Sequence, residues 1–446
     1  MKKIFAVILA GIIMFSMGSC AEKEKAPSES VIELADSKVK LPDITLTNKK
    51  VRILRTGMEQ TSENEAVSLF KQKYGGEIEI VLAGTGGDML KKLSNMVLSD
   101  DAPDLVAFEQ NMFYTGITKK LFQPVNNVID FGDELFGWLK EGSSYSKVGD
   151  DFYVLGSAHP VVVCWYNKKL FDDNGIDTPL KYFQEGTWTW TKLEALAEKM
   201  TFDTNKDKTV DIYGFGGSSS PLGSRLSAAG TDLIKVKNDV ITGNLKDPAI
   251  TKVFDTYTRL NKAGARHPAN TDYDAFKKGN IAMFEGGIWA STDYKFQDQI
   301  KAGNISFVPM PRDEETDTYY YNAIASGYSV AQGAKNIEGT KAFLSCLEYI
   351  YYLREFDDNY AKRERTRYME ETGFTDLEMD IWKRLSRFEG FTQSVLMSEG
   401  VGGVDGWLGE SWKMVDDVLV NNKPWATVRD QYSPILDAEI KRITLK

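Results

Sequence analysis

The stretch "DAFKKGNIAMFEGGIW" (residues 274–289) decides the reading of this chain. A short amphipathic run ends at Gly279, a helix-stopping residue. Four apolar residues, Ile281, Ala282, Met283 and Phe284, follow as a buried-strand pattern. Glu285, the double glycine Gly286 and Gly287, and then Ile288 and Trp289 close the stretch. Helix end, core strand, flexible step and large aromatic is the order expected where a strand of an α/β sheet runs out. In open α/β sheets ligands bind beyond the carboxyl ends of the strands. A tryptophan there presents a flat apolar face with a quadrupole. The C–H face of a pyranose ring complements such a surface, while its hydroxyls need nearby Asp, Glu, Asn or Gln.

The same grammar extends outward in both directions. Strands are expected near residues 51–54, 78–82 and 105–108, separated by helices carrying Leu69, Phe70 and Tyr74, then Met89, Leu93 and Met96, on one face. Later come a strand near 161–165, a helix opened by a capping box at Thr191 and Glu194, and a helix opened at Asp247 and Pro248. A strand near 305–308 and a long helix over 337–353 follow. Strands alternating with helices predict an α/β fold with mixed or parallel sheets under helical cover. About 400 residues beyond the N-terminal segments suit two lobes.

The N-terminus reads as an address. Lys2 and Lys3 precede an apolar run over 4–15, too short to span a bilayer, which takes ~20 residues. Met17, Gly18 and Ser19 lead into Cys20 in the manner of a bacterial lipobox, so residues 1–19 are expected to be a lipoprotein signal peptide and Cys20 the lipidated residue. Residues 20–46 are charged and poor in aromatics, and read as a flexible tether. The net charge of -10 argues against nucleic acid and anionic membrane surfaces as partners. Cys164 and Cys346, each among apolar residues, read as small core hydrophobes, and two histidines exclude a His-rich metal centre.

Three other segments are candidates for chemistry. "DTNKDKTVD" (residues 203–211) sets Asp203, Asn205, Asp207, Thr209 and Asp211 at alternate positions, a spacing that can wrap a structural calcium; the alternative is a polar turn bonded to its own backbone. Lys208 stands where an EF-hand loop has its glycine. "GTGGD" (residues 84–88) places Asp88 in a polar loop before a helix. "GGVDGWLGESW" (residues 402–412) repeats glycines, an aspartate and a tryptophan, Trp407, before another helix. No nucleophile elbow, Walker loop, zincin motif or Cys-x-x-Cys is present, and acids are too plentiful for any carboxylate pair to be singled out. No cofactor is expected.

Several stretches together resemble the family 1 extracellular solute-binding proteins, the sugar-capturing subunits of ABC importers. "PDLVAFEQNMFYTGITKKLFQPVNN" is similar to the family's strand-then-helix segment, with Lys120 in place of its glycine. "VCWYNKKLFDDNGIDTP", "TWTKLEALAEKMT" and "DIYGFGG" resemble the segments after the first crossover between lobes. "AFKKGNIAMFEGGIW" resembles the family's signature, in which the tryptophan stacks on sugar. The resemblance implies a type II periplasmic-binding-protein-like fold closing on its ligand about a hinge. It implies lobes of residues 47–158 plus 306–360 and 159–305 plus 361–446. It places ligand contacts at Trp289, Trp407, His159, Glu109, Gln110, Glu285, Gly287 and Asp88. Residues 218–224, Ser, Gly, Pro and Leu, carry no aromatic where the family's malto-oligosaccharide binders do. The expected protein is a monomeric, non-enzymatic lipoprotein on the outer face of the cell membrane. It delivers a mono- or oligosaccharide to an ABC permease. A polyamine- or peptide-binding protein of the same fold, or an extracellular glycan-active enzyme, are the alternatives.

Overall fold

The structure is a computed structural model that describes residues 39–443 apart from 57–60, 85, 138, 161, 218–220, 270–271, 294–295, 387–390, 395–396 and 402–403. The signal peptide, Cys20 and most of the expected tether lie outside the described residues. Among the described residues fifteen strands follow in chain order: β1 (Lys50–Arg55), β2 (Glu77–Leu82), β3 (Leu105–Ala107), β4 (Phe122–Gln123), β5 (Lys147–Val148), β6 (Asp151–Phe152), β7 (Leu155–Pro160), β8 (Val162–Asn167), β9 (Tyr213–Gly217), β10 (Ile234–Lys237), β11 (Val240–Gly243), β12 (Ile281–Gly287), β13 (Ile305–Val308), β14 (Tyr319–Ala331) and β15 (Phe391–Ser394).

Two main sheets organise them. The first has the order β15-β14-β3-β1-β2, with β4 and β7 also paired to β14. Its β1, β2 and β3 are parallel, and β14 runs antiparallel to β3. The second has the order β13-β8-β12-β9, with β12 parallel to β9 and antiparallel to β8. Both are mixed sheets covered by helices, as expected of an α/β fold. The helices Thr61–Tyr74 and Ile337–Phe356 cover the first sheet, burying Leu69, Phe70, Phe343, Leu347 and Ile350. Helices Trp190–Lys199 and Pro248–Lys262 belong to the second, and Pro221–Ala228, which follows β9, lies against β14 of the first. No helix among the described residues is long and apolar enough to cross a membrane.

The chain passes between the sheets along extended strands. β7 leads directly toward β8, and the 13-residue β14 pairs with β15 at its start and with β7 and β3 further on. Gly156 and Gly327 face each other in the β7–β14 ladder. A Cβ on Gly156 would stand 1.9 Å from the Ser326 carbonyl oxygen, and one on Gly327 (φ +146°) 2.1 Å from that of Leu155. Only glycine permits this approach at the crossing.

Three expectations are corrected. Residues 39–46 are not free tether: Val39 and Leu46 are buried on the first core, and the Tyr74 hydroxyl donates to the Pro42 carbonyl (2.6 Å). The lobe boundary expected at residue 306 falls inside β13, which pairs with β8 and belongs to the second sheet. The helix expected to open at Thr191 begins two residues earlier: Thr189, with extended backbone, is its N-cap and accepts from the Lys192 amide. A side-chain oxygen from elsewhere, Glu314 Oε1, takes the Thr191 amide instead (2.5 Å). Lys120, where the resemblance expects glycine, keeps a left-handed backbone at φ +53°.

Candidate functional site

β12 ends in the signature turn. All seven of its residues are buried, between β8 on one side and β9 on the other. Two residues later Trp289 is 42% exposed. Its indole folds back over Gly287: a Cβ there would lie 2.3 Å from ring atoms Cε2 and Cζ2 and 2.4 Å from Cδ2. The glycine is thus the seat of the ring, and the absent side chain is what lets the ring reach the backbone. Trp165 Nε1 donates to the Gly287 carbonyl (3.1 Å), and the Gly287 amide donates to the Tyr273 hydroxyl (3.2 Å). The Trp289 carbonyl accepts the Thr292 and Asp293 amides, both 3.0 Å, of the short helix Ala290–Asp293. A platform with one face on the backbone and the other partly open is the result.

Glu285 differs from its expected role. Its side chain is fully buried and Oε2 takes Arg225 Nε at 2.7 Å and the Tyr257 hydroxyl at 3.0 Å. The Arg225 guanidinium lies 3.4 Å from the Tyr257 ring centroid, a cation–π contact in a nearly dry setting. Burial pushes the Tyr257 hydroxyl well above its ordinary value, so it remains a donor to the carboxylate. Burial, joined by the Arg225 charge, brings Arg266 down to about 10. A buried carboxylate so paired is costly to expose. Glu285 therefore serves inside the second lobe rather than as an open ligand contact.

Trp407 is also corrected. The ring is fully buried, in one apolar cluster with Met414, Val415, Val428 and Tyr432. Its backbone amide donates to the Val401 carbonyl (3.2 Å), and its Nε1 has no hydrogen-bond partner among the described residues. The shared pattern of glycines, an acid and a tryptophan thus turns the side chain inward here and outward at Trp289.

On the first sheet, Glu109 and Gln110 follow β3 as expected. The Thr56 hydroxyl, just past β1, donates to Glu109 Oε1 (2.9 Å). Gln110 is buried, and the turn Met397–Gly400 comes against it: a Cβ on Gly400 would stand 3.0 Å from the Gln110 carbonyl oxygen and 3.1 Å from Tyr114 Cδ2. The Ser398 amide donates to Asp232 Oδ2 (3.0 Å), beyond the helix Pro221–Ala228. Residues from the ends of β1 and β3, the C-terminal segment and the second lobe therefore meet around Gln110. Asp88 is exposed at the start of the helix Gly86–Leu98, its Oδ2 2.7 Å from where a Cβ on Gly84 would stand. His159 stands on β7 opposite Ile324, one of the crossing-strand positions. Residues 218–220 lie outside the described residues.

The 203–211 loop bonds to itself. Asp203 accepts the Asp207 amide (3.2 Å) and the Lys208 amide (2.8 Å), Asn205 the Asp207 amide (2.8 Å), and Asp207 the Thr209 amide (2.7 Å). Asp211 accepts the amide and hydroxyl of Thr204, which holds its carboxyl below the usual range. Lys206 and Lys208 take left-handed backbone, φ +63° and +74°. Among the described residues no three His, Cys, Asp or Glu side chains are placed to hold a metal ion. The arrangement is that of a turn whose side chains bond its own backbone.

Sequence reasoning did not single out Arg225, Tyr273 or Trp165 for the site. Arg225 had a signal, as a lone charge in an otherwise small and apolar helix. Tyr273 and Trp165 had none, because each acts on Gly287 from another element of the fold.

Two mixed sheets linked by crossing strands, with an aromatic platform at the end of a central strand, define a two-lobed binding protein. The chain belongs to the bacterial extracellular solute-binding protein family, whose profile matches residues 65–348. No curated protein sequence matches it. Among solved structures it is similar to the galacto-N-biose-/lacto-N-biose I-binding protein of an ABC transporter from Bifidobacterium longum, in complex with lacto-N-biose (TM-score 0.65, 16% identity, 91% of this chain and 100% of that one). It is similar also to an ABC substrate-binding protein from Listeria monocytogenes in complex with cycloalternan (0.64, 17%, 88% and 99%). A third is the maltose/maltodextrin-binding domain from Bdellovibrio bacteriovorus bound to maltotriose (0.59, 18%, 88% and 100%).

Proposed function

We propose that this protein captures a mono- or oligosaccharide outside the cytoplasm and delivers it to the permease of an ABC importer, held at the membrane by lipid on Cys20. The observation that carries the reading is the half-exposed Trp289 ring, seated on Gly287 at the end of a buried central strand. Its apolar face suits the C–H face of a sugar, and the polar groups at the ends of β1 and β3 suit hydroxyls. The sugar complexes of the similar structures support the same class of ligand. The role requires binding and closure with no chemical step, so the protein is read as a binding protein and not as an enzyme.

A thermal-shift screen against a sugar panel tests this. A true ligand at a hundred times its dissociation constant adds about 2.7 kcal/mol of stability. Trp289→Ala should then weaken the hit more than tenfold, about 1.4 kcal/mol, in calorimetry. A panel in which only polyamines or peptides stabilise the protein overturns the sugar assignment, and an unchanged affinity in Trp289→Ala overturns the platform. For the anchor, metabolic labelling with a palmitate analogue should mark the wild type and not Cys20→Ala.

A further inference from the structure

We propose that Tyr273, together with Trp165 and the buried Glu285–Arg225–Tyr257 cluster, forms a clamp of positioning residues that aims the Trp289 ring. The inference rests on the reading of Trp289 as the sugar platform. Successive residues of a strand face opposite sides. The double glycine therefore leaves two bare faces, and aromatic rings occupy both. On one side, a Cβ on Gly286 would stand 2.9 Å from Tyr273 Cε1 and equally 2.9 Å from Phe284 Cε1, the ring against which Tyr273 packs; on the other, Gly287 carries the indole of Trp289. The backbone is gripped between Tyr273 and Phe284 on one side and Trp289 on the other.

The grip is polar as well as steric. Gly287 is the last residue of β12, and side chains take both of its peptide groups: the Tyr273 hydroxyl its amide, Trp165 Nε1 its carbonyl. Tyr273 is itself held, at the start of the helix Tyr273–Lys277, with its ring 4.8 Å from that of Phe284. Two residues before Gly287, on the same face of the strand, Glu285 is fixed by Arg225 Nε and the Tyr257 hydroxyl. Every residue from 285 to 287 is thus restrained by a side chain from a different element, which is more than a strand end needs to stay folded. What the restraints hold in common is the orientation of the next large side chain. None of the clamp residues needs to touch the sugar.

Tyr273→Phe removes one hydroxyl and keeps the ring. The expected result is roughly a tenfold loss of sugar affinity, near 1.4 kcal/mol, with a melting temperature close to wild type. Amide hydrogen exchange should be faster in the peptide covering 285–289. A double-mutant cycle separates positioning from general structure: with Trp289→Ala already present, Tyr273→Phe should cost no further affinity. Additive losses, or unchanged affinity with unchanged exchange, overturn the clamp. If Tyr273→Phe does not fold, Gly286→Ala, whose methyl presses on the Tyr273 and Phe284 rings together, takes its place with the same readouts. If the wild type binds no sugar in the panel, the proposed function falls. The exchange rate at 285–289 then still decides the clamp: faster in the variant supports it, unchanged refutes it.

Discussion

Gly287→Ala tests the seat of the platform directly. The new methyl would meet three indole atoms at 2.3 to 2.4 Å, whereas ordinary carbon contacts lie near 3.5–4.0 Å, so the ring must retreat by about 1 Å or more. Gly287 does not have a left-handed backbone, so alanine adds no conformational strain of its own. The ring is 42% exposed and can swing outward, so the loss of fold stability should stay near the ~1 kcal/mol of an off-rotamer side chain. Binding should suffer more. A tryptophan of ~250 Å² leaves about 100 Å² of this ring open to a ligand. At ~25 cal/mol per Å² that surface is worth up to about 2.5 kcal/mol when fully covered, a ceiling near sixtyfold in affinity. A tilted ring keeps part of it, and the expected loss is about five- to sixtyfold. Calorimetry on wild type, Gly287→Ala, Trp289→Ala and the double variant, with the sugar found in the panel, checks this. Once the indole is gone the methyl has nothing to displace, so the double variant should bind like Trp289→Ala. Wild-type affinity in Gly287→Ala, beside a weakened Trp289→Ala, would refute the reasoning.

Gly327→Ala places a Cβ 2.1 Å from a backbone oxygen at φ +146°, where no side chain can yield, and should cost about 3 kcal/mol or more in urea unfolding; near-wild-type stability would sink the idea that the crossing needs glycine. Glu348 is buried on the helix Ile337–Phe356, and its Oε2 has no hydrogen-bond partner among the described residues. Burial pushes its carboxyl up to about 8. Because the folded state holds this proton more tightly than the unfolded one, its contribution is full below about pH 4.5 and is lost as the pH rises toward 8. Glu348→Gln, which cannot ionise, should therefore gain on wild type between pH 5 and pH 8 in thermal melts. A constant difference across that range would contradict the assignment.

The local elements were legible because their signals are local. The run from Ile281 to Phe284 reads as a strand and lies in β12, the strand expected near 305–308 is β13, and Asp247 caps its helix by accepting the Ala249 amide (2.9 Å). The crossings were not legible. β14 takes its partners from β7 and β15, far away in the chain, and a glycine that faces another glycine across a ladder looks like any other glycine in sequence. The tether shows the same limit. Its composition is that of a solvated segment, yet Val39 and Leu46 find places on the first core because Tyr74 and its neighbours offer a surface.

At the site, the two tryptophans show where local reasoning stops. Trp289 and Trp407 share a preceding glycine run, an acidic residue and a following helix, and so receive the same reading from sequence. What separates them is the shape of the neighbouring surface. Trp289 meets a bare glycine backbone held by side chains from two other elements, so its ring lies flat and stays partly open. Trp407 precedes the helix Gly409–Leu419 and is enclosed by its residues and those of Trp425–Ile440. Glu285 makes the same point in electrostatic form. An acid beside a sugar-stacking tryptophan reads as a hydroxyl acceptor, but Arg225 and Tyr257 have already taken it. The signature therefore encodes a platform and its foundation together, and only the pairing of Glu285 shows that most of its polar chemistry belongs to the foundation.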